Sequence, residues 1–191
     1  MIFLKKLLIT SAFFLTGFNS NLYAQQAEPI AIDLISSVKS ALPGSVIEAA
    51  LRVRMGSGWH TYWINPGDSG AAPRIAWTAQ KGMSIGDLNF PAPERIEYGE
   101  LVNFGYSDET VWPFEISVEK DFSDDSINLF AEIDILVCSD ICIPKKIKVN
   151  KRLRVGDIDR DDLGARIIST ALATMPIKSA VAPLAILKKD K

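Results

Sequence analysis

The chain has 191 residues, 48% hydrophobic and 23% charged: enough for one domain with a small appendage, and unlike a collagen-like, coiled-coil or fully disordered chain. Its 21 Lys and Arg stand against 23 Asp and Glu, so a net charge of −2 offers no electrostatic footprint for nucleic acid. Groups able to do chemistry are scarce, with two cysteines and one histidine in the whole chain.

From the N-terminus, Met1 to Ala24 read as a cleavable secretory signal: Lys5 and Lys6 form the positive region, Leu7 to Phe18 the apolar one, and Leu22-Tyr23-Ala24 the cleavage site. The alternative, an N-terminal membrane anchor, is disfavoured because the apolar run falls short of the roughly 20 residues a spanning helix needs. Removing these 24 residues, two of them lysines, leaves 167 residues with a net charge of −4. No membrane span is expected in the mature chain, since the apolar stretch Val181 to Leu187 is broken by Pro183 and closed by Lys188, Lys189 and Lys191.

Past the signal, a period of two dominates. Ile47 to Met55 alternates apolar and polar residues, as a half-buried strand does. Trp59 to Ile64 follows, with His60 and Tyr62 on one face and Trp59, Thr61 and Trp63 on the other. Further strands are expected at Arg74 to Thr78, at Val111 to Val118 (where Pro113 predicts an edge or a bulge) and at Lys146 to Val155. Between the last two, Ile127 to Val137 alternates most strongly, with Asn128, Glu132 and Asp134 sharing one face with Phe130, Leu136 and Cys138. Only the end reads as helical: Asp159 is placed as the cap, Asp161 and Asp162 in the first turn, and Leu163, Ile167, Ile168, Ala171 and Leu172 as one apolar stripe before Pro176. The expected fold is all-β, an antiparallel sandwich over residues 25–155, with a C-terminal helix and tail over 156–191.

Cys138 ends one strand and Cys142 begins the next after a three-residue connection, so the two flank a hairpin turn. A bridge there is makeable with some strain, and strain raises a reduction potential. As a staple the pair is inefficient, since closing a ring of five residues gives only about 2 kcal/mol against about 3 for a 15-residue ring. These arguments favour thiol chemistry over a passive cross-link, while Cu(I) or Zn(II) held by Cys138, Cys142 and His60 stays open. Asp134, on the face of Cys138, and Asp140, in the turn, are expected to disfavour the thiolate of the reduced pair.

Two other features have blander readings. Gly67-Asp68-Ser69-Gly70 matches the nucleophile segment of chymotrypsin-like proteases, but the only base is His60, nine residues earlier within a strand, so the segment reads as a turn-rich connection. Trp59, Trp63, Trp77 and Trp112 read as core rather than as a carbohydrate platform.

Three separated motifs, Val137-Cys138-Ser139-Asp140-Ile141-Cys142-Ile143-Pro144, the run Gly58 to Gly70, and Phe90-Pro91-Ala92-Pro93-Glu94-Arg95, resemble the N-terminal periplasmic domain of the DsbD/ScsB thiol:disulfide reductases. The three-residue spacing between the cysteines brings the chain closer to the ScsB branch. The resemblance implies an immunoglobulin-like β-sandwich in the periplasm, whose redox-active disulfide needs no further cofactor and takes electrons from a membrane thiol-reductase hub to thioredoxin-fold partners. It further implies that Cys142 forms mixed disulfides and that Cys138 resolves them, with His60 and Tyr62 standing where the DsbD branch has two tyrosines. A cap region aligns with Ile96, Glu97 and Tyr98, with Tyr98 or Phe104 as the shielding ring. The competing class is a non-catalytic periplasmic adaptor, Cu(I)-handling or otherwise, with a structural disulfide.

Overall fold

The computed structural model describes residues 28–176, so the expected signal peptide and the stretch Val181 to Leu187 lie outside the described residues. In chain order the elements are β1 (Ile30–Ser36), β2 (Val38–Ala41), β3 (Val46–Met55), β4 (His60–Gly67), β5 (Arg74–Thr78) and β6 (Met83–Ile85). They continue with β7 (Glu94–Tyr98), β8 (Leu101–Ser107), β9 (Glu109–Val118), β10 (Ser126–Cys138), β11 (Cys142–Val155), β12 (Asp159–Arg160) and helix α1 (Asp162–Ala173).

The strands form two sheets, one in the order β1-β3-β9-β6 and the other β12-β2-β11-β10-β4-β8-β7, with β5 also pairing β10. Pairing is antiparallel except between β2 and β11. The chain is thus the expected immunoglobulin-like β-sandwich. Alternation drives the layering: Ile127, Leu129, Ala131, Ile133, Ile135 and Val137 of β10 are buried against Leu51 and Val53 of β3 and Trp112 and Ile116 of β9. Trp112 is fully buried, and Trp59, Trp63 and Trp77 pack against the same core, as expected of the tryptophans.

Pro113 lies inside β9, opposite Ala50 of β3, yet its environment is that of an edge. Its carbonyl accepts from the Asn89 amide at 2.8 Å, and β6 pairs only with Ile116 to Val118. Because the N and C=O of a strand residue point to the same side, the proline nitrogen faces a connecting segment and removes no ladder bond.

The helix differs from expectation in two respects. Its cap is Asp161, whose carboxylate accepts from the Gly164 amide at 3.1 Å, while Asp159 belongs to β12. Its buried face is Gly164, Ala165 and Ile168, whereas Leu163 and Leu172 are exposed. The reason is close approach: a Cβ on Gly164 would fall 2.1 Å from the Ser36 carbonyl oxygen, so the helix docks through its smallest residues.

Candidate functional site

β10 and β11 form a long hairpin whose last paired residues are Cys138 and Cys142, and the Ser139 amide donates to the Ile141 carbonyl at 2.9 Å to close the three-residue connection. The two sulfurs are bonded at 2.03 Å, with Cα atoms 4.1 Å apart. The environments of the two cysteines differ sharply. Cys138 is 1% exposed, because its other neighbour across the sheet is His60 of β4, while Cys142, at the start of a strand whose outer edge is open there, is exposed.

The alternation of β4 sends His60 and Tyr62 to the disulfide and Trp59 and Trp63 to the core. The Tyr62 hydroxyl donates to Cys138 Sγ at 3.2 Å and lies 3.9 Å from Cys142 Sγ. Burial pushes the Tyr62 hydroxyl up from its ordinary value, which keeps it a donor, and pushes the His60 imidazole down, which keeps it neutral. The two rings meet edge to face at 5.4 Å.

Tyr62 is fixed by the segment that resembles a protease motif. Gly70 adopts φ +89°, and a Cβ there would lie 2.3 Å from the Tyr62 ring, so only glycine lets this loop close over it. The loop is held in turn by Asn103 of β8, 2% exposed, whose Oδ1 accepts from both the amide and the hydroxyl of Ser69 at 2.9 Å. Asp68 adds a bond from the Val102 amide at 2.8 Å. The Ser69 hydroxyl is therefore part of a clamp, which fits the turn-rich reading of this segment.

A cavity of about 260 Å³ results, lined by both cysteines together with His60, Tyr62, Tyr98, Asn103 and Asp140. Of the expected surroundings, Asp134, Glu97 and Phe104 do not line it. Asp134 shares the face of Cys138 but stands four residues, roughly 13 Å of strand, away and pairs with Lys146 at 3.0 Å. Glu97 pairs with Arg95 on the exposed side of β7, and Phe104 lies against Gly67. Tyr98 reaches the cavity because β7 and β8 form a tight hairpin, with Tyr98 opposite Leu101, and it remains 58% exposed. Asn103 is absent from the sequence expectations, and Ser69 and Gly70, singled out there within the Gly58 to Gly70 motif, are assigned no role at the site. Among the described residues, no group of three or more His, Cys, Asp or Glu side chains is arranged to hold a metal ion.

The model of the family described as the N-terminal domain of the thiol:disulfide interchange protein DsbD matches residues 26–153. The chain belongs to this family. Within it, the similarity leans to ScsB. The crystal structure of the N-terminal periplasmic domain of ScsB from Proteus mirabilis is 25% identical, with a TM-score of 0.61, and the match covers 83% of this chain and 59% of that one. The chain thus spans less than two thirds of that ScsB domain. The reduced N-terminal domain of DsbD from Neisseria meningitidis is 11% identical with a TM-score of 0.38, covering 68% of this chain and 88% of that one. Among curated proteins, none matches. No helix among the described residues is long and apolar enough to cross a membrane.

Proposed function

We propose that this DsbD-family chain is a periplasmic electron carrier whose Cys138–Cys142 pair is reduced by a membrane thiol reductase and oxidised by thioredoxin-fold proteins. The observation that carries this reading is the asymmetry of the pair: one sulfur is buried beneath a hydrogen-bond donor, and its partner sits on an exposed residue.

Thiol–disulfide exchange needs an accessible sulfur to attack and a leaving sulfur able to bear charge. A donor thiolate attacks Cys142 Sγ; the bond to Cys138 breaks as the mixed disulfide forms, and Cys138 leaves as a thiolate beside the Tyr62 hydroxyl before taking up a proton. The donor's second thiol then attacks the mixed disulfide, releasing Cys142, so that the donor is oxidised and this pair reduced by two electrons. In the second half the Cys142 thiolate attacks an acceptor disulfide, and Cys138 resolves the intermediate by attacking Cys142 Sγ. His60 stays neutral and adds no charge to the cavity, and of the two aspartates first placed near the thiols only Asp140 lines it.

Single-cysteine variants test the roles. In periplasmic extract, Cys138→Ser is expected to accumulate mixed disulfides with thioredoxin-fold proteins and Cys142→Ser to accumulate none, as read by non-reducing electrophoresis and mass spectrometry. Equal trapping by both variants, or trapping only by Cys142→Ser, contradicts the assignment.

A further inference from the structure

Beside the disulfide cavity, sharing its Leu136 wall, runs a second and larger depression of about 610 Å³ on the outer face of the same sheet. It is lined by Leu136 of β10, Pro144 of β11, Ala71 and Ala72, with charged residues beside them. Pro144 is two residues from Cys142 and therefore on the same face of β11. The depression begins where the accessible cysteine ends.

It exists because β10 changes neighbours there. β5 pairs with Phe130 to Asp134 and β4 with Val137 and Cys138, leaving Ile135 and Leu136 with no strand beside them on that side. The Leu136 carbonyl is satisfied instead by the Thr61 hydroxyl at 2.9 Å, so the gap is closed chemically but remains open as a surface.

Its charges are mixed. Arg74, Asp134 and Lys146 line it from the face of Pro144, with Asp134 between the two cations in the ladder, whereas Lys145 alternates to the core face of β11 with Ile143 and Ile147. Lys145 pairs with Glu28, and Lys146 is shared between Glu132 and Asp134. Arg74 is exposed, stands opposite Asp134 in the ladder, and makes no ion pair among the described residues. The disulfide cavity, on the other side of Leu136, carries Asp140 instead.

The geometry points to this depression as the docking groove for the segment of a partner protein that flanks its reactive cysteine, with an acidic residue three or four positions from that cysteine received by Arg74 and Lys146. This deepens the electron-carrier reading and rests on it. Lys146 is four residues along β11 from Cys142, roughly 13 Å, and an extended chain disulfide-bonded to Cys142 covers that span in about four residues. Apolar contact with Leu136 and Pro144 holds the chain between the two ends, and the carboxylate selects it.

The test uses the reduced full chain and two synthetic nonapeptides with a central cysteine presented as its disulfide with 5-thio-2-nitrobenzoate. One peptide carries Asp and the other Lys at the third and fourth positions on both sides of the cysteine. Attack of Cys142 on the peptide sulfur forms the mixed disulfide and releases thionitrobenzoate, which is read by absorbance. At low ionic strength the acidic peptide is expected to react about fivefold faster than the basic one, a ratio suited to two exposed ion pairs. The preference should collapse in 0.5 M salt, where the Debye length falls to about 4 Å from about 30 Å at 0.01 M, and disappear or invert in Arg74→Glu/Lys146→Glu. The milder Arg74→Gln/Lys146→Gln should also lose it, which guards against a fold effect of charge reversal. Reaction with the small uncharged 2,2′-dipyridyl disulfide separates the two proposals. No reaction with it overturns the electron-carrier reading itself. Normal reaction with it, but equal rates for the two peptides or a preference unchanged in both double variants, overturns the groove alone.

Discussion

At the scale of the residue, the proposed exchange draws on Tyr62. Its hydroxyl is a neutral donor at 3.2 Å from Cys138 Sγ, the sulfur proposed to leave, and a hydrogen bond to a charged acceptor is worth about 1.5–3 kcal/mol. Tyr62→Phe removes the donor and leaves the ring packed on Gly70. Reduction of the disulfide by dithiothreitol, followed by stopped-flow, is then expected to slow by about tenfold or more, and the Cys138 thiol of the reduced protein to titrate at higher pH. An unchanged rate means that the hydroxyl does not serve the leaving sulfur. The strand period made part of this site legible: alternation alone groups His60 with Tyr62 and separates both from Trp59 and Trp63. It did not reveal Asn103 or Gly70, because their roles depend on β8 lying beside the Gly67 to Gly70 loop, a non-local contact that no local pattern encodes. Asp134 fails for the complementary reason, since residues on one face of a strand need not be near each other along it.

At the scale of the element, the long, strictly alternating strands were readable and the irregular ones were not. β3, β5, β9 and β10 fall where their apolar periodicity predicts, and β11 extends the expected strand back to Cys142. β7, with almost every side chain exposed, carries no burial pattern to read, and β1 is blurred by Ala31 and Ile35 at positions where polar residues would have made the alternation plain. The helix was found but misaligned, because Asp161 competes with Asp159 as a cap and the docking face is set by a glycine. Asp161→Ala is therefore expected to cost about 1 kcal/mol in urea unfolding. Gly164→Val, whose Cβ meets the Ser36 carbonyl, should cost more. Since α1 packs against β9 and β3 rather than against the disulfide, the exchange rate of folded Asp161→Ala should match that of the parent. A stability loss in Asp159→Ala but not in Asp161→Ala would reverse the cap assignment.

At the scale of the whole molecule, the sandwich brings the chain's only histidine and both cysteines to one end of the second sheet, and this has a consequence for pH. Burial lowers the His60 value below the usual 6.5, so below that pH the unfolded chain binds a proton that the native state resists. More protons on the unfolded state means that stability falls as pH drops through this range and is unaffected by His60 above it. Glu132, held below its usual 4.5 by Lys146, contributes in the same direction only at lower pH, so the two contributions separate along the pH axis. Urea unfolding from about pH 7.5 to about pH 5 should show the parent losing stability and His60→Gln losing less of it; identical slopes would contradict a desolvated His60.

As proposed, the Cys138–Cys142 pair is a carrier and not a cross-link. This is tested most directly by equilibrating the protein with mixtures of reduced and oxidised glutathione and measuring the fraction of free thiol. The pair is expected to exchange with glutathione through Cys142 and to reach equilibrium at a potential above about −300 mV. A bond that stays closed in excess reduced glutathione, with a potential below about −300 mV and no detectable exchange, would contradict it and assign the disulfide to structure.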